Sequence, residues 1–329
     1  MNKLQFFQTP KDNLKIQMLF QDEQALTAIR ADAGGTETLP DVQTYYTPLF
    51  FPKAPVDRPY TVSSIVLSSD GKMAYRDNPA GPLIAKTNCL DPDGAAGDFW
   101  VLNVLRACAD GVIAGANTLA KEPGTTFHVY DEDLSRQRKE VLGKPRQPAG
   151  VVVSFDATDI PFDHTSFHVD PTEALKMLIA TGPDGLDYIQ KNSPLKHVIC
   201  GPFSSQAEVD RTELPRLDQE FDTIPVLVTG TGKEPDGRLM LYMLKKMGLE
   251  QLCVESPSYC TYLLQEEMLD EYFINYSMVF AGGTATPGSF LPFGHLDHPH
   301  ADLLSLGIHR HNFLFTRQKI RYGVTAPRG

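Results

Sequence analysis

Two strand-to-helix junctions in this sequence carry the residue types that hold phosphate. At Gly115-Ala116-Asn117-Thr118 a short apolar strand, GVIAG, gives way to a helix. The first amides of a helix have no partner inside it, and the helix dipole favours an anion beside them. Gly115 lets backbone approach a ligand closely, and Thr118 can add a hydroxyl donor. The second junction is Glu255-Ser256-Pro257-Ser258-Tyr259, between the strand QLCVE and a helix SYCTYLLQEEM. Two helix N-termini at the carboxyl ends of strands could hold the phosphates of one dinucleotide. Asp70, in Ser69-Asp70-Gly71-Lys72, and Glu255 are carboxyl groups at strand ends, a group type that moves protons in general acid–base chemistry. Each feature also has a plainer reading: Asp70-Gly71 as a turn, Arg106 as a helix surface charge, Glu255 as a cap, and Asn and Thr as ordinary cap residues.

Other candidates fail on spacing. Gly230-Thr231-Gly232-Lys233 follows the strand IPVLV, but Pro235 stands where a dinucleotide fingerprint needs its third glycine. No Gly-Lys-Ser/Thr ending completes a phosphate loop, so the segment reads as a strand-to-helix turn. His295, His298, His300, His309 and His311 gather late in the chain without a companion cysteine or an HExxH motif, and no metal is expected. The HxE and PCxxC motifs of zinc deaminases are also missing.

These groups need a scaffold that brings strand ends together. YTVSSIVL is β-branched and reads as a strand, and Asp98 reads as the cap of a largely apolar helix, FWVLNVLRACA. GVIAG is the next strand, and Asn117 opens the helix after it. VVVSF, HVICG, IPVLVTG, QLCVE and DEYFINYSMVF read as further strands, and HNFLFTRQKIRYG as one strand or a hairpin. Asp236 starts a helix whose Leu239, Met240, Met243, Leu244 and Met247 keep helical spacing, and Gly248 stops it. Strands alternating with helices imply a mainly parallel sheet covered on both faces. Residues 1 to 57 contain the loop DAGGTETLPD, the aromatic run YYTPLFF and the linker PKAPVD, and read as an extension packed on the main domain.

The totals narrow the class. A chain of 329 residues with 42% hydrophobic and 22% charged residues is globular. Lys plus Arg is 30 against 41 Asp plus Glu, a net charge of −11, which is the opposite of the basic surplus that nucleic-acid binders need. There is no signal-like start and no run of roughly 20 apolar residues, so no membrane partner is expected. Cys89, Cys108, Cys200, Cys253 and Cys260 form no CxxC pair and read as free buried thiols in a reducing cytoplasm.

Three blocks in order make a more specific case: RPYTVSSIVLSSDGKMA (Arg58 to Ala74), LRACADGVIAGANTLAKEP (Leu105 to Pro123) and GLEQLCVESPSYCTYLLQEEMLDEYFINYSMVFAGG (Gly248 to Gly283). Together they resemble the RibD C-terminal family, the reductase of riboflavin biosynthesis, over Arg58 to Tyr322. The resemblance implies a three-layer, dihydrofolate-reductase-like α/β fold over residues 58–329. Its sheet would be mainly parallel with antiparallel C-terminal strands, and helices would cover both faces. It further implies NADPH as cofactor, hydride transfer to a ribosylamino-pyrimidine phosphate, and a homodimer. By position, Ser69, Asp70, Gly71 and Lys72 fall on the loop beside nicotinamide and substrate, and Arg106 on the family's substrate-binding arginine. Gly115, Ala116, Asn117 and Thr118 fall on the cofactor-phosphate turn. Glu255 matches the glutamate of the EGG motif, and Ser256, Pro257, Ser258, Tyr259, Cys260 and Thr261 match the pyrophosphate turn. Asp70 and Glu255 are thus the expected catalytic pair, Lys72, Arg106 and Leu83 the expected substrate contacts, and Asp270-Glu271 a structural pair.

The departures bear on the substrate. Gly81-Pro82-Leu83-Ile84 replaces a Ser-x-Trp-Ile segment, and Glu122-Pro123-Gly124-Thr125-Thr126-Phe127-His128 lacks an arginine that helps hold substrate phosphate. Lys86 to Gly97 reads as an insertion beside the site. Alternatives are a related NADPH reductase of a pterin-like or other carbonyl or imine substrate, and an NADPH-binding protein without catalysis. Arg106 is expected to reach substrate and not to support the fold. Ser256-Pro257 replaces two glycines; a cis bond is expected there, with Ser258 and the following amides still on cofactor phosphate.

Overall fold

The computed structural model describes residues 2–34, 37–219, 222–289 and 291–324. Two residues of the loop DAGGTETLPD and the last five of the domain expected over 58–329 lie outside them. The strands are β1 Gln17–Gln21, β2 Tyr60–Ser68, β3 Gly111–Gly115, β4 Ala149–Val153, β5 Met177–Thr181, β6 His197–Phe203, β7 Ile224–Thr229, β8 Gln251–Val254, β9 Glu271–Ser277, β10 His300–His309 and β11 Phe313–Arg321. The helices are α1 Glu23–Asp32, α2 Pro40–Tyr45, α3 Leu83–Lys86, α4 Pro92–Cys108, α5 Ala116–Lys121, α6 Glu132–Glu140, α7 Pro183–Asn192, α8 Gln206–Asp210, α9 Gly237–Lys246 and α10 Pro257–Gln265. Among the described residues no helix is long and apolar enough to cross a membrane.

All the strands join one sheet in the order β1-β10-β11-β9-β2-β8-β3-β4-β5-β7-β6. From β9 to β6 every pairing is parallel, and β11, β10 and β1 add antiparallel neighbours at one side. The short runs AGVVV of β4 and MLIAT of β5 are buried at every position because helices cover both faces. Val152 and Ile179 face one hydrophobic cluster with residues of α4 to α7, and Val151, Val153, Leu178 and Ala180 face another with α9 and α10. This is the mixed α/β architecture the sequence implied, with its antiparallel part at the C-terminal hairpin.

Local chemistry explains the element boundaries, including two misread in the sequence. Asp236 Oδ1 accepts from Leu239 N at 2.9 Å to start α9, and Gly248 leaves it with φ +101°. The helix read as capped by Asp98 begins earlier: Asp91 Oδ1 accepts from Gly94 N at 3.0 Å, with Pro92 at the first helical position. Asp98 lies nearly two turns inside α4. Lys86 to Gly97 links α3 into that helix and forms its first turns. It is pinned by Asn88, whose Nδ2 donates to Ser277 Oγ and Asn312 O at 3.2 and 3.1 Å. Asn117 does not open α5 either; Gly115 is its cap and Ala116 its first residue. All five cysteines are free, but only Cys200, Cys253 and Cys260 are buried; Cys108 is half-buried and Cys89 exposed.

The segment before residue 58 is built into the same sheet through β1, whose Gln17 pairs with Ile308 of β10. Its aromatic run reaches the core. Phe51 lies 6.4 Å from Phe273, and Arg317 stacks over Phe51 at 5.1 Å. Arg317 and Glu271, 1% and 0% exposed, form a two-pronged ion pair at 2.7 and 2.9 Å. Arg58 holds Asp270 the same way at 2.6 and 2.9 Å. Both members of the DE pair are thus structural.

Candidate active site

The site is a notch created by unequal strand lengths. β8 pairs with β2 only as far as Ser63↔Val254, whereas β2 continues to Ser68 beside β9. Beyond Ser63 no strand among the described residues continues the β8 side. Ser64, Ile65 and Val66 are accordingly half-buried in the middle of an otherwise buried strand. The two phosphate-suited junctions stand at the other wall, at the carboxyl ends of β3 and β8, where an open α/β sheet places its ligands.

Those junctions touch. Glu255 N donates to Ile113 O at 2.8 Å, and a Cβ built on Gly115 would come within 3.3 Å of Ser256 Oγ. Any larger residue at 115 would fill the cradle between them. Ser256 is buried and caps α10, its Oγ accepting from Tyr259 N at 3.5 Å and lying 3.2 Å from Ser258 Oγ. Asn117 and Ser258 are exposed, and Thr118 is half-buried. Tyr259 and Cys260 turn their side chains into the core, and Thr261 Oγ1 donates back to Pro257 O at 3.0 Å. The expected cis bond at Ser256-Pro257 is corrected: among the described residues the cis peptide is Gly201-Pro202. Proline's fixed φ suits the first position of α10, which needs no unusual bond before it.

Arg106 occupies a different role from the one expected. It is 3% exposed, and its Nε and Nη2 donate to Glu255 Oε1 and Oε2 at 2.7 and 2.6 Å. Its Nη1 donates to Thr126 O and His128 O, both at 2.9 Å. Burial by itself would lower the guanidinium's pKa; the Glu255 charge and hydrogen bonds outweigh it and leave the pKa raised. The expectation that Arg106 does not support the fold is therefore overturned. A charge buried in an apolar helix needs a partner, and Glu255 is that partner.

Asp70 organises two loops. Its Oδ1 accepts from Ser68 Oγ and Ala281 N at 2.6 and 3.1 Å, and its Oδ2 from Gly282 N at 2.8 Å. The hydrogen bonds from Ser68 and then from these amides hold its carboxyl down at about 2. Gly71, at φ +73°, makes the turn that lets Lys72 N reach Ser68 Oγ at 2.9 Å. Ser69 is exposed, Lys72 and Leu83 are half-buried, and Leu83 begins α3, which packs on α4 and β2.

One group escaped the sequence reading. Asp98 is half-buried on the same stripe of α4 as Ala95 and Leu102. Asn275 Nδ2 donates to its Oδ1 at 2.8 Å, and Asn275 pairs in register with Val66 in the open stretch of β2. Burial pushes the Asp98 carboxyl up to about 6, against the pull of that hydrogen bond. Its Oδ2 makes no protein hydrogen bond among the described residues. An aspartate before an apolar run looks the same whether it caps a helix or lies inside one; only the earlier Asp91-Pro92 pair signals the difference.

The decoys resolve into structure. Lys233 pairs with Asp156 at 3.0 Å and Gly232 O accepts from Asp184 N at 2.9 Å, so the GTGK turn anchors the start of α7. His309 is buried against Asp91, with Nδ1 2.7 Å from Oδ2.

No family model and no curated protein matches this sequence. Solved structures do. A pyrimidine reductase-like protein of Corynebacterium diphtheriae superposes with a TM-score of 0.54 at 18% identity, over 84% of this chain and 97% of that one. RibD of Acinetobacter baumannii, in two structures, gives TM-scores of 0.50 and 0.49 at 15% identity over 80% of this chain. This chain spans 58–59% of that RibD chain. At these identities the likeness speaks for architecture alone, and the chain shares the dihydrofolate-reductase-like fold of the pyrimidine reductase-like protein.

Proposed function

We propose that this chain is an NADPH-dependent reductase of the riboflavin-pathway type. The observation that carries the reading is the notch itself: a central strand left open beyond Ser63, with the paired turns at Gly115 and Ser256 on its far wall. The cradle at Gly115, the N-terminal turn of α5 and the Ser258 amide and hydroxyl suit the phosphates of a dinucleotide, while Pro257 has no N–H and Tyr259 N is held by Ser256 Oγ. Bound there, NADPH supplies the hydride. The protein then has to orient the substrate, exclude water and handle one proton. Arg106 fixes the plane of the Glu255 carboxylate at the edge of the notch. Asp70 holds the loops Ser68–Lys72 and Val279–Gly282 together. Titrating at about 6, Asp98 is suited to hold a proton on Oδ2 and pass it to the heteroatom of a reduced C=N or C=O.

A specific observation favours a second reading of the substrate. Four of the five Arg106 donors are spent within the protein, and the 122–128 segment brings no arginine, which suits a pterin-like or other carbonyl or imine compound without a phosphate. Calorimetric titration with NADPH, followed by its oxidation in the presence of a ribosylamino-pyrimidine phosphate or a pterin, tests both. No NADPH binding would end the proposal.

A further inference from the structure

Before its first strand the chain forms a strap across the wall that carries Arg106. Phe7 N donates to Tyr130 O at 3.0 Å, and Phe7 O accepts from Glu132 N at 2.9 Å. Thr9 N donates to Asp131 Oδ2 at 3.1 Å. The Phe7 ring stacks on Phe99 of α4 and on Tyr130, with centroids 5.8 and 6.1 Å apart, and Phe6 meets the His128 ring edge-on at 5.1 Å. The seat of the strap, residues 126–131, contains both carbonyls that accept from Arg106.

His128 joins strap and seat. Its Nε2–H donates to Gln5 O at 2.9 Å, and its Nδ1 accepts from Thr126 Oγ1. Burial pushes this imidazole down to about 4, so the ring is neutral, and the Gln5 carbonyl fixes its proton on Nε2. With both nitrogens committed, the ring has one orientation and sets the peptide planes that present Thr126 O and His128 O. Those carbonyls hold Arg106 Nη1. Because a guanidinium is planar, holding Nη1 also aims Nε and Nη2, and with them the carboxylate of Glu255.

We infer that Gln5–Thr9 act as a positioning strap for the active site, working through His128 and Arg106 on the orientation of Glu255. The inference rests on the reading of Glu255 as part of the site. Phe7 and His128 are positioning residues and touch no substrate. A strap that merely adds contacts would change stability and leave the Glu255 turn alone.

The test uses full-length Phe7→Ala, His128→Phe and His128→Gln chains, with hydrogen–deuterium exchange measured without cofactor and turnover measured with it. In His128→Phe and Phe7→Ala, exchange should rise about tenfold both at 126–131 and at the turn 254–259, with the β10–β11 hairpin unchanged. In both variants kcat should fall about tenfold while the NADPH Kd stays within about threefold. His128→Gln, whose side-chain N–H can still reach Gln5 O, should recover most of both losses. Faster exchange at 126–131 with the 254–259 turn unmoved would overturn the inference, as would a glutamine variant no better than phenylalanine. If the wild-type chain fails to bind or oxidise NADPH, the functional reading falls, and the exchange data alone still decide whether the strap governs the turn.

Discussion

Arg106 and Glu255 meet through two parallel hydrogen bonds, 2.7 and 2.6 Å long, although 149 positions separate them in the chain. The pair ties α4 to the turn after β8, making the covering helix and the wall of the notch one rigid unit. Removing Arg106 would leave the Glu255 carboxylate without its partner and two buried carbonyls without donors. Arg106→Ala should therefore lower the unfolding free energy by about 3–5 kcal/mol, measured by urea denaturation. Arg106→Lys keeps the charge without the fork and should regain only part of it. Wild-type stability with only the substrate KM raised would return Arg106 to a ligand's role.

Asp98 should make stability fall as pH rises. Its native carboxyl titrates at about 6, against an ordinary value of 3.8. Between those values the native state keeps a proton that the unfolded chain has lost, so stability declines through the window and is lowest above it. Asp98→Asn removes the titration. Relative to the wild type, its melting temperature should gain steadily across pH 4–6 and be higher at pH 7; the rise with pH that His128 contributes, held neutral down to about 4, is common to both chains. Its turnover should be at least about tenfold slower and lack the wild-type decline of kcat above pH 6. An unchanged pH profile of turnover would remove Asp98 from the chemistry.

The cradle at Gly115 predicts a cofactor defect without a fold defect. A branched side chain there meets Ser256 Oγ and occupies the space between the turns. Gly115→Val should weaken NADPH by at least about tenfold, or 1.4 kcal/mol, in calorimetry. In the wild-type chain NADPH should bind more tightly than NADH, with Lys72 and Lys121 available to the extra phosphate. Equal affinities would remove that assignment.

The committed guanidinium also predicts weak reading of a substrate phosphate. A phosphate held by charge-assisted hydrogen bonds gains about 1.5–3 kcal/mol from each. With Arg106 spent, the phosphorylated and dephosphorylated forms of a ribosylamino-pyrimidine should differ by less than about tenfold in kcat/KM. A hundredfold preference for the phosphate would point to a cation this reading has overlooked.

Much of the scaffold was legible because periodicity and burial agree. YTVSSIVL, GVIAG, IPVLVTG and the Asp236–Gly248 helix declare themselves through β-branching, caps and apolar spacing. Three strands did not. β1, QMLFQ, is an edge strand with exposed positions and no clean alternation; β10 shifts register between Leu303 and Ser305; β5 is five buried residues with no period to detect. The turns of the candidate site were legible as strand-to-helix junctions, and the long-range pairings behind them were not. Nothing near Arg106 in the sequence announces that its charge belongs to Glu255, and nothing near Asp98 announces Asn275.

The position of β2 constrains how the chain can assemble as it is made. Its two neighbours in the sheet, β8 and β9, end at residues 254 and 277, so the strand at the centre of the site waits for most of the chain before it has either partner. β1 waits longer still, since Gln17 pairs with Ile308. Pairings this distant close large loops before any contact rewards them, which slows folding and leaves strand edges open meanwhile. The β3-β4-β5-β7-β6 half, whose strands all lie between residues 111 and 229, can pair on the ribosome first and present a ready edge at β3. The notch is therefore a late feature of this molecule, closed only when β8 and β9 arrive against a half already built, with the β1-β10-β11 side forming after it.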